Sequence, residues 1–275
     1  MKKLGFSIVL IMLVVLFTVF NMGDEIGLGY GGPAEIEDEK EPIEEIVEPE
    51  PEEVITEPEI MEEPENLTRA DVLNLIENSR KVMVQNPDDI LVLVNKERNL
   101  EASYVPQDLV IPDIPFSFDG YDQKKNMREE AARAIEELLT QAHAEGHMIY
   151  GVSGYRSYER QETIFIGNAL RDGFKKANTY SAIPGQSEHQ TGLAMDLSSP
   201  SVNFRLVTRF GETPEGIWLK ENCHLYGFII RFPQDKTHIT GYQYEPWHIR
   251  YVGIEDATEI MLNDLTLEEY LHNKE

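Results

Sequence analysis

The sequence predicts a helix-plus-sheet domain held behind an apolar N-terminal segment and an acidic linker. Between Asn126 and Glu145, apolar residues recur at helical spacing and fall on one stripe. Four apolar segments, 149–152, 193–197, 227–232 and 247–251, have the length of strands. Upstream of about residue 66 the apolar side chains are too sparse to form a core. The chain therefore divides into 1–22, a signal anchor or signal peptide; 23–66, a disordered Pro/Glu-rich linker; and 67–275, a single folded domain.

Lys2 and Lys3 precede a run from Leu4 to Phe20 that is uncharged and apolar. This charged-then-apolar layout is that of an export signal. Neither an Ala-x-Ala cleavage site nor a lipobox cysteine follows. The run is at the short end for a bilayer span, and the lysines on its N-terminal side direct the remainder out of the cytoplasm. An uncleaved anchor in the cytoplasmic membrane is expected, with secretion as the outcome if the segment is cleaved. Between Glu35 and Glu65, sixteen acidic residues stand against Lys40 alone. Charge repulsion and proline stiffness, as in Glu48-Pro49-Glu50-Pro51, keep such a stretch extended. It reads as a spacer between the membrane and the folded domain.

Of the formal charge of −26, that stretch supplies −15 (sixteen acids less one lysine), leaving −11 for the rest. A chain with no basic footprint is not built to bind nucleic acid. A monomer is expected. The one cysteine, Cys223, excludes a disulfide framework and a cysteine-based zinc knuckle. It ends an amphipathic helical stretch, 217–223, where a small buried hydrophobe is expected rather than a nucleophile.

Within the domain, a short helix is expected from Leu67 to about Val84, with Thr68 as its N-cap ahead of Asp71. Residues 90–94, Ile-Leu-Val-Leu-Val, read as a brief strand, followed by a proline-rich loop. The helix over 126–145 carries Ala131, Ile135, Leu138, Leu139 and Ala142 on its stripe, and Gly146 ends it. The strand at 149–152 leads into Ser153-Gly154-Tyr155-Arg156, and a second helix covers about 158–169. The later strands and a closing helix at 266–271 complete the pattern.

Seven histidines are present, and most have ordinary explanations. His143 and His147 flank Glu145, but that glutamate lies two residues past the first histidine, about 200° round a helix, and Gly146 interrupts the helix. His224, His238 and His272 lack a partner at ligand spacing. His189 differs, standing in Pro184-Gly185-Gln186-Ser187-Glu188-His189-Gln190-Thr191-Gly192-Leu193-Ala194-Met195-Asp196. Asp196 is flanked by Met195 and Leu197, a carboxylate inside an apolar strand, and a nearby cation removes the cost of burying it. The second cluster, Tyr244-Glu245-Pro246-Trp247-His248-Ile249-Arg250-Tyr251, puts His248 in a similar setting. Two histidines and one carboxylate leave the fourth position of tetrahedral zinc open for water, the mark of a catalytic site. Glu245, three residues before His248, can reach that water as a general base.

Ser187-x-His189-x-x-Gly192-x-Ala194-x-Asp196 followed by Glu245-x-x-His248 resembles the signature of the LAS group of zinc peptidases, and within it VanY-type D-alanyl-D-alanine carboxypeptidases. Ser153-Gly154-Tyr155-Arg156-Ser157 with Gln161, and 226–231, support the likeness, which spans about Leu91 to the C-terminus. It implies an α+β fold whose central antiparallel sheet, with flanking helices, holds one zinc per chain. His189, Asp196 and His248 map onto the metal ligands and Glu245 onto the base. Arg156 maps onto an arginine that binds substrate and stabilises the oxyanion. Ser153, Gln161 and Ser187 map near the terminal residue of the substrate. The implied activity is removal of the C-terminal D-alanine from peptidoglycan stem peptides or precursors. The alternatives are an L,D-carboxypeptidase on tetrapeptide stems, a D,D-dipeptidase, or a wall-binding module without catalysis.

Overall fold

Alternation along four short strands builds the centre of the domain. The computed structural model describes residues 66–274; the predicted anchor and nearly all of the predicted linker lie outside them. Among the described residues no helix is long and apolar enough to cross a membrane.

The first helix, α1 (Arg69–Asn78), opens as its sequence anticipates. Thr68 Oγ1 accepts from the Asp71 backbone N–H, and the Asp71 carboxylate accepts from the Thr68 N–H, a reciprocal capping box. The helix ends sooner than its apolar pattern implies. Strand β1 (Val82–Met83) then pairs in parallel with β2 (Arg98–Asn99), and β3 (Leu109–Val110) pairs antiparallel with β4 (Met127–Arg128). Helix α2 (Glu129–Ala144) follows, then β5 (Tyr150–Ser153), α3 (Tyr158–Asp172), α4 (Phe174–Ala177) and β6 (Ala194–Ser198). The remaining elements are α5 (Pro214–Asn222), β7 (Phe228–Ile230), α6 (Thr237–Thr240), β8 (His248–Tyr251), α7 (Ile254–Leu262) and α8 (Leu267–Lys274).

The four longer strands form one antiparallel sheet in the order β5-β6-β8-β7. Side chains alternate across such a sheet, and directly paired residues share a face. Met195 pairs with Ile249, and both enter the main core with Leu197 and the α2 residues Ile135, Leu138 and Leu139. The opposite face carries Asp196, paired with His248, and Ala194, paired with Arg250. The stripe of α2 therefore covers one side of the sheet and leaves the other free to hold polar groups. A second cluster joins Val72 and Ile76 of α1 to Phe165 and Ile166 of α3. A third seats Leu267 and Tyr270 of α8 on Ile229 and Ile260.

The apolar run at 90–94 is not a strand but turn and irregular backbone. Asp89 Oδ1 accepts from the Leu91 N–H and Asp89 O from the Val92 N–H, closing a turn. The carbonyls of Ile90 and Val92 accept from Nη2 of Arg250 at 2.7 and 2.9 Å. A guanidinium thus takes the place of a neighbouring strand, a partner no local pattern announces.

Arg250 is fully buried and also donates to Glu188 Oε1 at 2.8 Å and to the carbonyl of Tyr251 at 3.0 Å. Arg250→Ala strands those acceptors away from water. It is expected to lower stability by about 3–5 kcal/mol, read from urea unfolding of wild type and variant.

Candidate active site

Register brings the first two groups together. Asp196 in β6 pairs with His248 on one side and with Ser153 of β5 on the other. His248 Nδ1 lies 3.0 Å from Asp196 Oδ1. His189 arrives from a single 3₁₀ turn, Glu188–Thr191, whose C-cap is Gly192 in the left-handed region at φ +70°. A Cβ there would lie 2.8 Å from Leu109 Cδ2, so both the conformation and the space call for glycine. The turn delivers His189 Nε2 to 3.4 Å from Asp196 Oδ2, with its ring edge-on to His248 at 4.9 Å between centroids.

One donor atom from each of His189, Asp196 and His248 lies within 4.8 Å of the others, and all three residues are buried. The remaining nitrogen of each ring is already engaged. His189 Nδ1 bonds the carbonyl of Gly154 at 2.8 Å, and His248 Nε2 faces Glu188 Oε2 at 3.4 Å. Each imidazole therefore turns its other nitrogen to the shared centre, as a metal-ligating histidine with an outer-shell acceptor does. The donor set of two imidazoles and one carboxylate fits a zinc ion with an open fourth position.

The electrostatics agree. Burial by itself raises the Asp196 carboxyl, but His189 and His248 outweigh it and hold the group well below the usual carboxylate range. Burial likewise disfavours a charged His248, yet the bonds to Asp196 and Glu188 push it up to about 9. Burial lowers His189 instead, so an ionised carboxylate stands between one imidazole that favours its charged form and one that favours its neutral form.

Glu245 sits at the turn entering β8, its N–H bonded to the Phe232 carbonyl and its own carbonyl accepting from the His248 N–H. Its carboxyl is buried on the wall of a cavity of about 300 Å³ that also reaches Arg156, Ser187, His189, Asp196 and His248. Burial pushes it up to about 8; His248 and Arg156 pull it down, and Asp196 raises it further. Such a carboxyl can take up and release a proton near neutral pH, unlike the Asp196 carboxyl beside it.

Arg156 follows β5 and is fixed twice, by its N–H to the His189 carbonyl and through its guanidinium. Nη1 donates to Gln161 Oε1 at 2.8 Å, Nη2 donates to Ser153 Oγ at 3.1 Å, and Nη2 stands 3.7 Å from Asp196 Oδ2. Arg156 and Ser187 line the cavity; Ser153 and Gln161, which accept from the guanidinium, are not among its lining residues, and Gln161 Nε2 donates to the Ala182 carbonyl.

The other histidines have separate settings. His143 Nε2 bonds the Ile149 carbonyl, and His147 stacks on Trp218, whose indole donates to Glu145. Cys223 is buried, and burial pushes its thiol up to about 12, the state of an inert hydrophobe. Several site groups carry no signal in the sequence. Glu188 is buried between Arg231 and Arg250 and looks there like any solvated acid. The Tyr242 hydroxyl and Gln186 Oε1 are buried in residues that line the cavity, without a hydrogen-bond partner among the described residues.

A two-histidine, one-carboxylate group that fits a single zinc ion, beside the buried Glu245 and on one face of a small antiparallel sheet, is the arrangement of a one-zinc hydrolase. Residues 124–254 match the VanY family, described as D-alanyl-D-alanine carboxypeptidase. The chain is 53% identical over 187 residues to YodJ of Bacillus subtilis (strain 168), covering 68% of each protein. Among solved structures, the LdcB LD-carboxypeptidase shares 52% identity at a TM-score of 0.67, covering 69% of this chain and 89% of that one. A vancomycin-resistance D,D-pentapeptidase VanY, solved with Zn(II), shares 35% identity at a TM-score of 0.54, over 66% of this chain and 98% of that one. The chain belongs to the VanY family of zinc carboxypeptidases.

Asp196→Ala is expected to abolish stoichiometric zinc binding, measured by elemental analysis after dialysis. A chelator is expected to lower the unfolding temperature of the wild-type chain and leave that of the variant unchanged, because a metal bound only by the native state adds to its stability.

Proposed function

We propose that this chain is a zinc-dependent carboxypeptidase that removes the C-terminal D-alanine from peptidoglycan stem peptides ending in D-alanyl-D-alanine. The convergence of His189, Asp196 and His248 within 4.8 Å, on a cavity shared with Glu245, carries the reading. Membership of the VanY family supports the substrate class. The 52% identity to an LD-carboxypeptidase favours a second reading, an L,D-carboxypeptidase acting on tetrapeptide stems.

His189, Asp196 and His248 would hold the zinc. When bound, the ion supplies an acidified water and polarises the scissile carbonyl. Glu245 takes the proton from the attacking water and returns it to the leaving amine, a task suited to a carboxyl raised toward neutral pH. Arg156, held by Ser153 and Gln161, presents fixed positive charge to the oxyanion that develops at the scissile carbonyl or to the free carboxylate of the substrate. Ser187, on the cavity wall, would contact the terminal residue of the substrate.

Residues 1–22 would tether the enzyme to the cytoplasmic membrane, with 23–66 as a spacer, so that a monomeric domain faces the wall. Retention of the chain in the membrane fraction of the producing cell, with the domain accessible to external protease, tests this placement.

Mass spectrometry of pentapeptide and tetrapeptide stems after incubation with the purified chain separates the two activities. Loss of one D-alanine from the pentapeptide supports the D,D activity, and loss from the tetrapeptide alone selects the L,D one. Binding of both stems by the zinc-loaded chain without cleavage would identify a wall-binding module instead. Glu245→Ala is expected to keep the zinc and lose turnover by about 10²–10⁴-fold; retained turnover removes Glu245 from the role of base.

A further inference from the structure

Glu188 is next to a metal-site histidine in sequence, yet its partners come from β8 and the end of β7. Its Oε1 accepts from Arg231 Nε at 2.7 Å and from Arg250 Nη1 at 2.8 Å, while its Oε2 faces His248 Nε2 at 3.4 Å. Both arginines are fully buried. Two cations against one carboxylate would leave an uncompensated charge in the interior, which is costly. The balance is restored from the far end of the chain. Arg231 donates Nη1 and Nη2 to the two oxygens of Glu268 at 2.9 and 2.7 Å, and Glu268 lies in the first turn of α8. Glu268 Oε1 also accepts from Asn95 Nδ2 at 3.1 Å.

A packing contact runs beside this chain of bonds. The Arg231 guanidinium stacks over Phe232 at 5.0 Å, and the Phe232 ring lies 5.0 Å from that of His248. Arg231 therefore touches the His248 environment by charge, through Glu188, and by shape, through Phe232.

We propose that α8 is a support of the metal centre: Glu268, through Arg231, positions Glu188 against Nε2 of His248 and so keeps Nδ1 turned toward Asp196. This rests on the metal reading given above. Arg231 and Glu268 are positioning residues, off the cavity wall; Glu188 reaches the cavity but acts here through His248. An outer-shell acceptor fixes the tautomer of a histidine ligand and raises its basicity, and losing one typically weakens metal binding by about 10- to 100-fold. Without Glu268, Arg231 draws on Glu188 alone, and the bond to His248 weakens.

The test is a zinc titration of the full purified chain against a chromogenic chelator, paired with the visible spectrum of the cobalt-substituted protein and the unfolding temperature of the metal-free form. Glu188→Gln is expected to weaken zinc by about 10- to 100-fold. Glu268→Gln is expected to weaken it in the same direction and to shift the cobalt spectrum. The double variant should lose little more than Glu188→Gln alone, because coupled residues are not additive. Glu269→Gln, which disturbs the same helix at its contacts with Lys236 and the Thr266 N–H, should bind zinc as wild type does. Wild-type affinity and spectrum in Glu268→Gln overturn the proposal, as does equal weakening by Glu269→Gln, which would mark a general loss of stability. If Glu188→Gln does not fold, the comparison of Glu268→Gln with Glu269→Gln decides alone. A wild-type chain that binds no zinc in the same titration overturns the metal reading as well.

Discussion

Asp196 places a carboxylate in an interior strand of the sheet, with β5 on one side and β8 on the other. Water cannot solvate it there, so its charge has to be met by groups the fold brings to it. Register brings His248 from the next strand, a 3₁₀ turn brings His189, and the loop after β5 brings Arg156 to 3.7 Å. Each arrival constrains the chain elsewhere. A one-residue slip of β6 would turn Asp196 into the apolar core and expose Met195. Gly154 must press against the Asn126 carbonyl, where no Cβ fits, so that its own carbonyl can hold His189 Nδ1. The covering of the sheet's other face by α2 follows from the same arrangement, since one face is given to polar groups and the other must hold the sheet in place by burial.

Three buried carboxylates in one region would repel one another if all were ionised without partners. The structure resolves this by giving them unequal surroundings. Asp196 faces two imidazoles and Glu188 faces two guanidinium groups, and both are held low. Glu245 lies on the cavity wall with weaker compensation and is pushed up to about 8. Environment thus gives the same functional group opposite proton affinities within one region, which residue type alone cannot do. Arg156 completes the balance while remaining on the cavity, its guanidinium oriented by Ser153 and Gln161.

The parts legible in the sequence are those whose meaning is local. The stripe from Ala131 to Ala142 and the capping residue Thr68 follow from spacing within a few residues, and both stand in the structure. Asp196 and His248 stand out as polar residues in apolar strands, a contrast that needs no knowledge of the partner. Where meaning depends on a distant partner, the sequence is silent. The run at 90–94 has the composition of a strand, yet its carbonyls go to Arg250, well over a hundred residues away in sequence. Glu188, Arg231 and Glu268 each look like ordinary surface charges until the fold stacks them in the interior. Nothing local in the sequence shows that Gln161 and Ser153 bond the Arg156 guanidinium instead of lining the cavity.

The cavity wall holds more than the His189, Asp196 and His248 group and Glu245. Two groups there are unusual. The Tyr242 hydroxyl and Gln186 Oε1 are buried and unpaired with other protein groups among the described residues, although Gln186 Nε2 is tied to the Ser79 carbonyl. A buried polar atom that a substrate satisfies gains a hydrogen bond, and one that a substrate leaves unmet carries its full desolvation cost. Sites built this way reject a ligand lacking the matching group far more strongly than an apolar wall rejects a missing methylene. The His189, Asp196 and His248 side chains thus satisfy one another, whereas these two buried atoms, on residues of the cavity wall, are left without a protein partner among the described residues.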